Sequence, residues 1–589
     1  MTPAATYAFQ VRALGRLGYT ESGNVNHKRN KKYKICVILS TEVRHRMRNN
    51  EWPRLVGLFV IVTGIAVTGH AQDTTLLAAD CATLRDFSIP ASAIGLPTSG
   101  TVIQTAADVA ASEQGNVNGD FCKVVGIVKP KNSGSLNLGF EVNLSLSWNR
   151  RALQMGGGGY DGSLVTGLTP FTLQPANTPA PLKQGFVTLG SDGGHKGAQA
   201  FDGTFGMDDE ALINYGKESV KKTHDVAVAI IREAYGRAPE RFYFIDGSQD
   251  GHKTLNAAAR YPEDYDGVVA HYPAYNVTML HLGSLNVGRA LYADGGAGWI
   301  DPKHTELLTD AVYAKCDELD GVKDGIISNV AVCNAAFNVK TLRCAEGAAA
   351  DGCLSDAQLR AVAMITSDYK PGVTIAGADT FPKWALLEGS LFAAASNLGG
   401  DPQPSNPISG REPLLYRAGD QTVKFILTRD PKFDPLQFDP KKYQSRIATV
   451  ASIMDVTDIS LEKFRAKGGK IIMTHGTADD FITPHNSVAY YKRQVAQFGQ
   501  SRLDSFMRFY MIPGFAHGYG GFNAKFDSLA ALQKWVENGE APSRLTAVDG
   551  NTGPNAGRSR PLCEWPKWPK FTGKPGTENS ASSFTCVEK

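Results

Sequence analysis

The segment Arg241–Tyr265, RFYFIDGSQDGHKTLNAAARYPEDY, decides the fold. Its first six residues are mostly apolar or aromatic, which predicts a buried strand. Gly247 and Ser248 follow as a turn, and Gln249–Arg260 is predicted to form a helix that stops near Pro262. A strand–turn–helix unit of this kind exposes a serine above the edge of a sheet and directs the helix N-terminus towards it.

Strands and helices alternate on both sides of this segment. Residues 122–150 alternate in strand fashion, Gly185–Gly190 (GFVTLG) predicts a buried strand, and Ile213–Tyr235 has helical periodicity up to Gly236. Further strands are predicted at 268–270, 470–474 and 506–512, and further helices at 486–499 and 528–538. The alternation predicts an α/β fold whose mostly parallel sheet is covered by helices on both faces.

The regular alternation fades in the middle of the chain, which indicates a long insertion. The length of 589 residues also favours a large domain with an inserted one. We expect the first part of the core at 72–274, a lid domain at 275–455, and the second part of the core with a C-terminal disulfide segment at 456–589.

Composition and charge exclude several classes of protein. With 42% hydrophobic and 20% charged residues, the chain is ordinary globular protein rather than disordered, collagenous or coiled coil. Residues 1–54 hold 11 Lys/Arg and 3 Asp/Glu, whereas residues 72–589 hold 50 and 55. The basic charge therefore belongs to the N-terminus, and the mildly acidic remainder argues against nucleic acid as a partner.

The N-terminus has the pattern of a secretory signal. Leu55–Thr68 is uncharged and apolar, follows Arg54, and precedes the small-x-small site Gly69–Ala71. The run is short for a membrane span, although an N-terminal anchor is the alternative. We expect residues 1–71 to be absent from a secreted or periplasmic protein that has no membrane segment after cleavage. Because 46 residues precede Met47, we also expect Met47 to be the true initiator and the extension to be spurious.

The cysteines support export. Removal of the first 71 residues takes away Cys36 and leaves eight cysteines, which allow 105 pairings. Their clustering along the chain suggests four neighbouring pairs: Cys81–Cys122, Cys316–Cys333, Cys344–Cys353 and Cys563–Cys586. Eight buried thiols are the alternative. The absence of a CxxC motif argues against zinc and thioredoxin chemistry.

Three polar residues follow strands in the order used by serine hydrolases. A serine hydroxyl needs a base to take its proton and an acid to orient that base. Asp479 comes just after the strand KIIMT and His517 just after FYMI, at strand ends where open α/β sheets place their sites. The order predicts Ser248 as nucleophile, His517 as base and Asp479 as orienting acid. A helix N-cap and a solvated loop carboxylate are the alternatives for Ser248 and Asp479.

The turn around Ser248 departs from the G-x-S-x-G motif. Asp246 and Asp250 stand where that motif has glycine, so we expect strain or a rearranged turn. The oxyanion hole is predicted from the N–H of Gln249 and one N–H of the run Gly156–Gly159, with Gly158 preferred. A plain flexible glycine turn is the alternative for that run.

Three segments resemble the tannase/feruloyl esterase family: RFYFIDGSQDGHKTLNAAARYPEDY, THGTADDFITP (474–484) and IPGFAHGYGGFNAKFDSLAA (512–531). The resemblance extends from about Cys81 to Cys586. It implies an α/β-hydrolase core with a large lid inserted after the strand that follows Ser248, and cleavage of carboxylic esters of aromatic acids. The chain departs from the family pattern at Gly247 and Gly518, where that pattern has a disulfide-bonded cysteine pair.

The loop CDELDGVKDGI, which starts at Cys316, suits a hard cation. Its three Asp side chains are spaced by three and four residues, with glycines at the bends. The family resemblance implies a structural calcium site here, with Asp317, Asp320 and Asp324 as side-chain ligands and the carbonyls of Val322 and Ile326. A solvated Asp-Gly turn is the alternative.

The sequence thus favours a secreted serine esterase that acts on a small-molecule ester of a feruloyl- or galloyl-like acid through an acyl-enzyme. A terephthalate-monoester hydrolase of the same family, a non-catalytic secreted binding protein on the same fold, and a peptidase are the alternatives. The lid contains aromatic residues and two arginines, Arg411 and Arg417, which could meet an aryl acid or a carboxylate. The sequence singles out none of them as a ligand.

Overall fold

The computed structural model describes residues 75–198, 201–345, 352–392, 398 and 400–588. The predicted signal segment and the question of the start codon lie outside these residues. The described strands, in chain order, are β1 Thr75–Leu76, β2 Thr101–Val109, β3 Phe121–Val128, β4 Leu138–Ser145, β5 Ser147–Trp148, β6 Arg151–Met155, β7 Val187–Ser191, β8 Arg241–Gly247, β9 Gly267–His271, β10 Lys470–Gly476, β11 Met507–Ile512, β12 Ala524–Lys525, β13 Thr546–Asp549, β14 Ser559–Pro561, β15 Cys563–Glu564, β16 Trp568–Phe571 and β17 Phe584–Val587.

Ten of these strands form one sheet in the order β15-β11-β10-β9-β8-β6-β7-β4-β3-β2. The six strands from β11 to β7 are parallel, as predicted. The flanking strands β2, β3, β4 and β15 all pair antiparallel, a detail that the prediction of a mostly parallel sheet did not specify. The connections 110–120 and 129–137 contain no crossover helix, so β2, β3 and β4 can only form hairpins.

Both faces of the parallel strands are buried. Along β8, Phe242 and Phe244 pack into one hydrophobic cluster and Tyr243 and Ile245 into another on the opposite face. This explains why the strand is a continuous apolar run rather than a half-polar one.

The helices cover the sheet and fill the insertion. In chain order they are α1 Asp209–Ile213, α2 Ser219–Tyr235, α3 Gln249–Arg260, α4 Val277–Gly296, α5 Pro302–Cys316, α6 Val330–Ala336, α7 Asp356–Ile365, α8 Leu414–Gln421, α9 Gln444–Met454, α10 Glu462–Ala466, α11 Pro484–Phe498, α12 Gln500–Leu503 and α13 Ser528–Asn538. The predicted helices at 249–260 and 528–538 are confirmed to the residue. The predicted helix 213–235 is interrupted by a π-helical turn at Asn214–Glu218 and ends at Gly236, whose φ is +73°.

Helices α4–α10 lie between β9 and β10, where the sequence predicts the lid. They surround a hydrophobic cluster that includes Leu285, Leu291, Tyr416 and Ile426 and that also contains residues from before β9, such as Tyr215. The boundaries of the lid domain at residues 275 and 455 stay a prediction. Among the residues described, no helix has the length and apolar character needed to cross a membrane.

The four predicted cysteine pairs form disulfides. The Cα–Cα distances are 5.6 Å for Cys81–Cys122, 5.1 Å for Cys316–Cys333, 4.8 Å for Cys344–Cys353 and 5.6 Å for Cys563–Cys586. All four distances lie within the range of protein disulfides. The alternative of eight reduced thiols is therefore wrong.

Candidate active site

Ser248 stands between β8 and α3 in a strained backbone conformation. Its φ and ψ are +62° and −128°, a region that non-glycine residues rarely adopt. The Ser248 N–H donates to the carbonyl of His271 at the end of β9, which holds the turn against the sheet. The Ser248 side chain makes no capping hydrogen bond to α3, so the N-cap alternative is wrong.

Ser248, His517 and Asp479 form one hydrogen-bonded chain. His517 Nε2 lies 2.9 Å from Ser248 Oγ, and His517 Nδ1 lies 3.0 and 3.2 Å from the two oxygens of Asp479. With the ring proton on Nδ1, Nε2 is free to accept the serine proton. The arrangement can therefore activate a serine hydroxyl.

Asp479 is completely buried and ionised. Burial acts to raise its pKa, but the charge of His517 and the hydrogen bonds from His475 and His517 hold the pKa below the usual range. The Asp479 Oδ1 also accepts the backbone N–H groups of Phe481 and Ile482, each at 2.9 Å. These contacts exclude the alternative of a solvated loop carboxylate.

His475 is a partner of Asp479 that the sequence did not single out. Its Nε2 lies 3.3 Å from Asp479 Oδ2 and 2.9 Å from the Ile482 carbonyl. Its Nδ1 lies 2.7 Å from Ser487 Oγ. Its place directly after KIIMT, in the HGTAD segment, was the available signal, but a histidine in that position is commonly just part of a core.

Two aromatic rings contact the His517 ring, and the sequence did not predict either. The Phe481 ring stacks on it with 4.8 Å between centroids and 21° between planes. The Tyr272 ring lies at 4.4 Å and 48°. These rings limit the rotation of His517 about its side-chain bonds.

The hydrogen bonds of Asp246 explain why the serine turn has an aspartate where the G-x-S-x-G motif has a glycine. Its carboxylate accepts the N–H of Gly247 at 2.7 Å, the N–H of Gly156 at 3.1 Å and the hydroxyl of Thr172 at 2.6 Å. Burial, with the negative charge of Asp250, raises the pKa of Asp246 to about 7. The carboxylate therefore joins the serine turn to the glycine run.

Asp250 belongs to a buried ion cluster beneath the turn. Lys253 Nζ lies 3.0 Å from Asp250 Oδ1 and forms a close ion pair with Asp161, which follows the glycine run. Burial acts to lower the pKa of Lys253, but the charges of Asp161 and Asp250 raise it. A side chain at Gly156 would collide with Asp250, so glycine is needed there.

A small cavity lies next to Ser248, and we call it the serine cavity. Its wall includes Gln249 and Gly159, but not Gly158. Asp246 accepts the N–H of Gly156, and among the described residues no acceptor binds the N–H of Gly158 or Gly159. The choice of Gly158 as the second oxyanion-hole donor stays a prediction. Its neighbour Gly159 is the glycine of the run that lines the cavity wall.

The wall of the serine cavity is mostly apolar, and none of the described residues that line it is charged. Its wall is lined by Gly159, Phe201, Ser248, Gln249, Ala274, Leu280, His281, Ser284, Leu414, Leu415, Ala418, Phe481 and Ile482. Burial lowers the pKa of His281 to about 3, so this ring is neutral. Neither lid arginine lines this cavity, and Arg411 pairs with Asp401 on the surface.

The Asp317 loop gathers carboxylates, although they do not converge on one point. Across the described residues, the only three His/Asp/Glu side chains with all ligand atoms within 4.8 Å of one another are His224, Asp225 and Asp264. Asp324 pairs with Arg560 instead. Asp317 accepts the N–H of Gly325 at 2.9 Å, and Asp320 accepts the N–H of Ser328 at 3.2 Å.

Comparison with known proteins decides the family. The model of the family "Tannase and feruloyl esterase" matches residues 122–587. This chain belongs to the tannase and feruloyl esterase family. Among its relatives in that family, an esterase of Agrobacterium fabrum is 38% identical over 518 residues, which cover 86% of this chain and 93% of the relative. Mono(2-hydroxyethyl) terephthalate hydrolase of Piscinibacter sakaiensis is 29% identical over 535 residues, which cover 82% and 86%.

Solved structures of tannase and feruloyl esterase family members share the fold. Feruloyl esterase B from Aspergillus oryzae superposes with a TM-score of 0.69 at 22% identity, covering 86% of this chain and 99% of its own. Tannin acyl hydrolase from Aspergillus niger gives 0.65 at 19% identity, covering 85% and 96%. The fold is that of the α/β-hydrolases. The protein is a carboxylic ester hydrolase, and the alternative of a non-catalytic binding protein is wrong.

Proposed function

We propose that this esterase hydrolyses esters of uncharged aromatic acids of the feruloyl or galloyl type, with Ser248, His517 and Asp479 as its catalytic triad. The observation that carries the triad is the hydrogen-bonded chain from Ser248 Oγ through both ring nitrogens of His517 to Asp479. The strained φ of Ser248 supports the same role, because strain of this kind is concentrated at functional sites.

The reaction follows from this geometry. Ser248 Oγ attacks the ester carbonyl while His517 Nε2 takes the serine proton, and Asp479 stabilises the resulting imidazolium. The N–H of Gln249 and an N–H of the glycine run, from Gly158 or Gly159, bind the oxyanion. His517 then protonates the leaving alcohol. Water, deprotonated by His517, hydrolyses the acyl-enzyme and regenerates Ser248.

The wall of the serine cavity supports the substrate class. Phe201 and Phe481 can pack against an aryl ring, and Ser284 and neutral His281 can hydrogen-bond a phenol. No charged side chain lines the described cavity, so a second carboxylate, as in a terephthalate monoester, would be buried without a partner. The cavity measures about 40 Å³, so we expect lid side chains such as Leu414 to shift when an aryl ring enters.

A panel of esters tests the substrate class. We expect kcat/KM for methyl ferulate or methyl gallate to exceed that for mono(2-hydroxyethyl) terephthalate by at least about tenfold. A matched variant, Leu414→Arg, places a cation in the wall and should shift the preference towards the terephthalate ester. A preference of the unmodified protein for the terephthalate ester would overturn the uncharged-acid proposal and leave the triad intact. Hydrolysis of amide substrates at comparable kcat/KM would favour the peptidase alternative.

We also propose that the protein is exported, on the basis of its four disulfides. N-terminal sequencing of protein recovered outside the cytoplasm should give a chain that starts near residue 72. A mature chain that starts upstream of Met47 would contradict both the cleavage site and the proposed start codon.

We further propose a structural calcium ion in the Asp317 loop, held by Asp317, Asp320, Asp324 and the carbonyls of Val322 and Ile326. Burial raises the pKa of Asp320 to about 6, and no cationic side chain pairs with it among the described residues. Within the same residues, no hydrogen-bond donor reaches the carbonyl of Val322 or Ile326. Three carboxylates and two carbonyls supply the oxygen ligands that a hard cation prefers, and Asp324 would give up its pairing with Arg560 to bind the ion. The ion would order the loop and takes no part in the chemistry.

A further inference from the structure

Two glycines stand next to the triad, and one aromatic ring lies beside both. Gly247 precedes Ser248 and Gly518 follows His517. A Cβ atom built on Gly247 would lie 2.7 Å from Cε2 and Cζ of Tyr272, closer than side chains normally approach. A Cβ atom on Gly518 would lie 3.8 Å from the Tyr272 Oη. The Tyr272 ring thus occupies the space beside the serine turn and reaches the histidine loop.

Tyr272 is held firmly by the sheet. It follows β9, its N–H donates to the Thr474 carbonyl of β10 at 2.6 Å, and only 5% of its surface is exposed. Its φ is +33°, outside the regions open to a bulky side chain. Such a conformation is energetically unfavourable and persists only where the surroundings impose it. The ring is therefore a rigid support, since it has only two side-chain torsions.

The Tyr272 ring contacts residues of the loop that carries His517. The Tyr272 ring lies 4.4 Å from the His517 ring and 5.9 Å from Phe515, which belongs to the same loop. A disulfide between these loops is excluded by the glycines at 247 and 518. Asp479 holds the Nδ1 edge of the His517 imidazole. The Phe481 ring stacks on the imidazole, and the Tyr272 ring packs against it at a tilt.

We propose that Tyr272 is a positioning residue for catalysis: its ring, fitted beside Gly247, sets the His517 imidazole in register with Ser248 Oγ. The proposal rests on the triad proposed above. Tyr272 acts through packing, and its hydroxyl carries no proton in the reaction. Because a displacement of about 1 Å at a catalytic group can cost 10²-fold in rate, loss of the ring should lower kcat rather than substrate binding.

Substitution of Tyr272 tests the proposal. Tyr272→Leu should lower kcat by about 10²-fold while KM changes less than about threefold, and Tyr272→Phe, which keeps the ring, should retain kcat within about threefold. The matched control is Tyr490→Leu, a fully buried tyrosine that packs on Tyr275 in a different hydrophobic cluster from that of Tyr272. It should lower the melting temperature and leave kcat unchanged. Full kcat in folded Tyr272→Leu, or a fall in Tyr490→Leu as large as that in Tyr272→Leu, would overturn the proposal.

A double-mutant cycle keeps the test decisive if Tyr272→Leu folds poorly. Gly247→Ala adds the Cβ atom that meets the Tyr272 ring, and it should lower kcat in the natural background. If the Tyr272 hydroxyl is the obstacle, Gly247→Ala should cost little kcat in the Tyr272→Phe background. If the Tyr272 ring is the obstacle, Gly247→Ala should cost little kcat only in the Tyr272→Ala background. Equal losses in all three backgrounds would overturn the proposal. Ser248→Ala separates the two hypotheses, since activity in that variant would overturn the triad itself.

Discussion

The Nε2 atom of His517 lies 2.9 Å from the Oγ atom of Ser248, although 269 positions separate them in the chain. Ser248 follows β8 and His517 follows β11, and two parallel strands, β9 and β10, lie between these in the sheet. Asp479 follows β10, so all three side chains start from the same edge of the sheet. This relationship depends on strand order and supports the following predictions.

Removal of the Ser248 hydroxyl should abolish ester hydrolysis. Ser248→Ala should lower kcat by about 10⁴-fold or more, because no acyl-enzyme can form. Asp479→Asn should cost a similar factor, since the amide favours the wrong His517 tautomer. Rates on p-nitrophenyl acetate, with circular dichroism to check folding, measure both effects. Activity near that of the natural protein in Ser248→Ala would place the nucleophile elsewhere.

Asp246 should matter through its acceptor oxygens rather than its charge. Asp246→Ala removes the acceptors for Gly247, Gly156 and Thr172, and we expect kcat to fall by roughly 10–10²-fold because the oxyanion loop loosens. Asp246→Asn keeps one acceptor oxygen and should lose less. A kcat of Asp246→Ala close to that of the natural protein would show that the hydrogen bonds to the turn are unimportant.

The buried carboxyl of Asp455 should make stability depend on pH. Burial raises its pKa to about 7, and its Oδ1 accepts the N–H of Thr278 at 2.9 Å. The folded protein therefore holds a proton that the unfolded chain releases near pH 4, so this group destabilises the fold as pH rises from about 4 to 7. Asp455→Asn should raise the free energy of unfolding by about 4 kcal/mol at pH 8 and hardly change it at pH 4. Urea unfolding at both values measures this difference, and an equal effect at the two pH values would contradict it.

Calcium should stabilise the Asp317 loop. We expect a chelator to lower the melting temperature of metal-loaded protein, and Asp320→Asn to lower it in the same way and to remove the response to chelator. Asp310→Asn, on an exposed position of α5, is the matched control and should behave like the natural protein. If a chelator leaves the melting temperature unchanged in protein that has been shown to contain calcium, a structural ion is ruled out.

An engineered disulfide between positions 247 and 518 needs room that Tyr272 now occupies. A Cβ at Gly247 meets the Tyr272 ring, and Gly518 has a φ of +91° that disfavours any side chain. We therefore expect Gly247→Cys with Gly518→Cys to destabilise the natural protein. With Tyr272→Ala added, the pair should oxidise more readily. Thiol titration and non-reducing electrophoresis measure the outcome, and complete oxidation with a raised melting temperature in the natural background would contradict the role given to Tyr272.

Some features could be predicted because they are encoded locally. The bounds of α3 and α13 follow from helical periodicity and from the residues at their ends. The disulfide pairs follow from close spacing, with at most 41 positions between partners. The antiparallel flank of the sheet was missed, because periodicity predicts a strand without specifying its neighbour.

The sequence by itself determined the element types around Ser248, the order of Ser248, Asp479 and His517, and the family. The tertiary structure decided which groups surround them: Tyr272 beside Gly247, His475 on Asp479, and Asp246 between the serine turn and Gly156. The contacts of Tyr272 with Gly247 and of Asp246 with Gly156 join residues from separate strands or loops, whereas His475 and Asp479 are only four residues apart. A residue's own neighbours in the chain report its local conformation, whereas strand order and packing bring distant residues together, so only the folded chain shows why aspartates and an aromatic ring replace the expected glycines and disulfide.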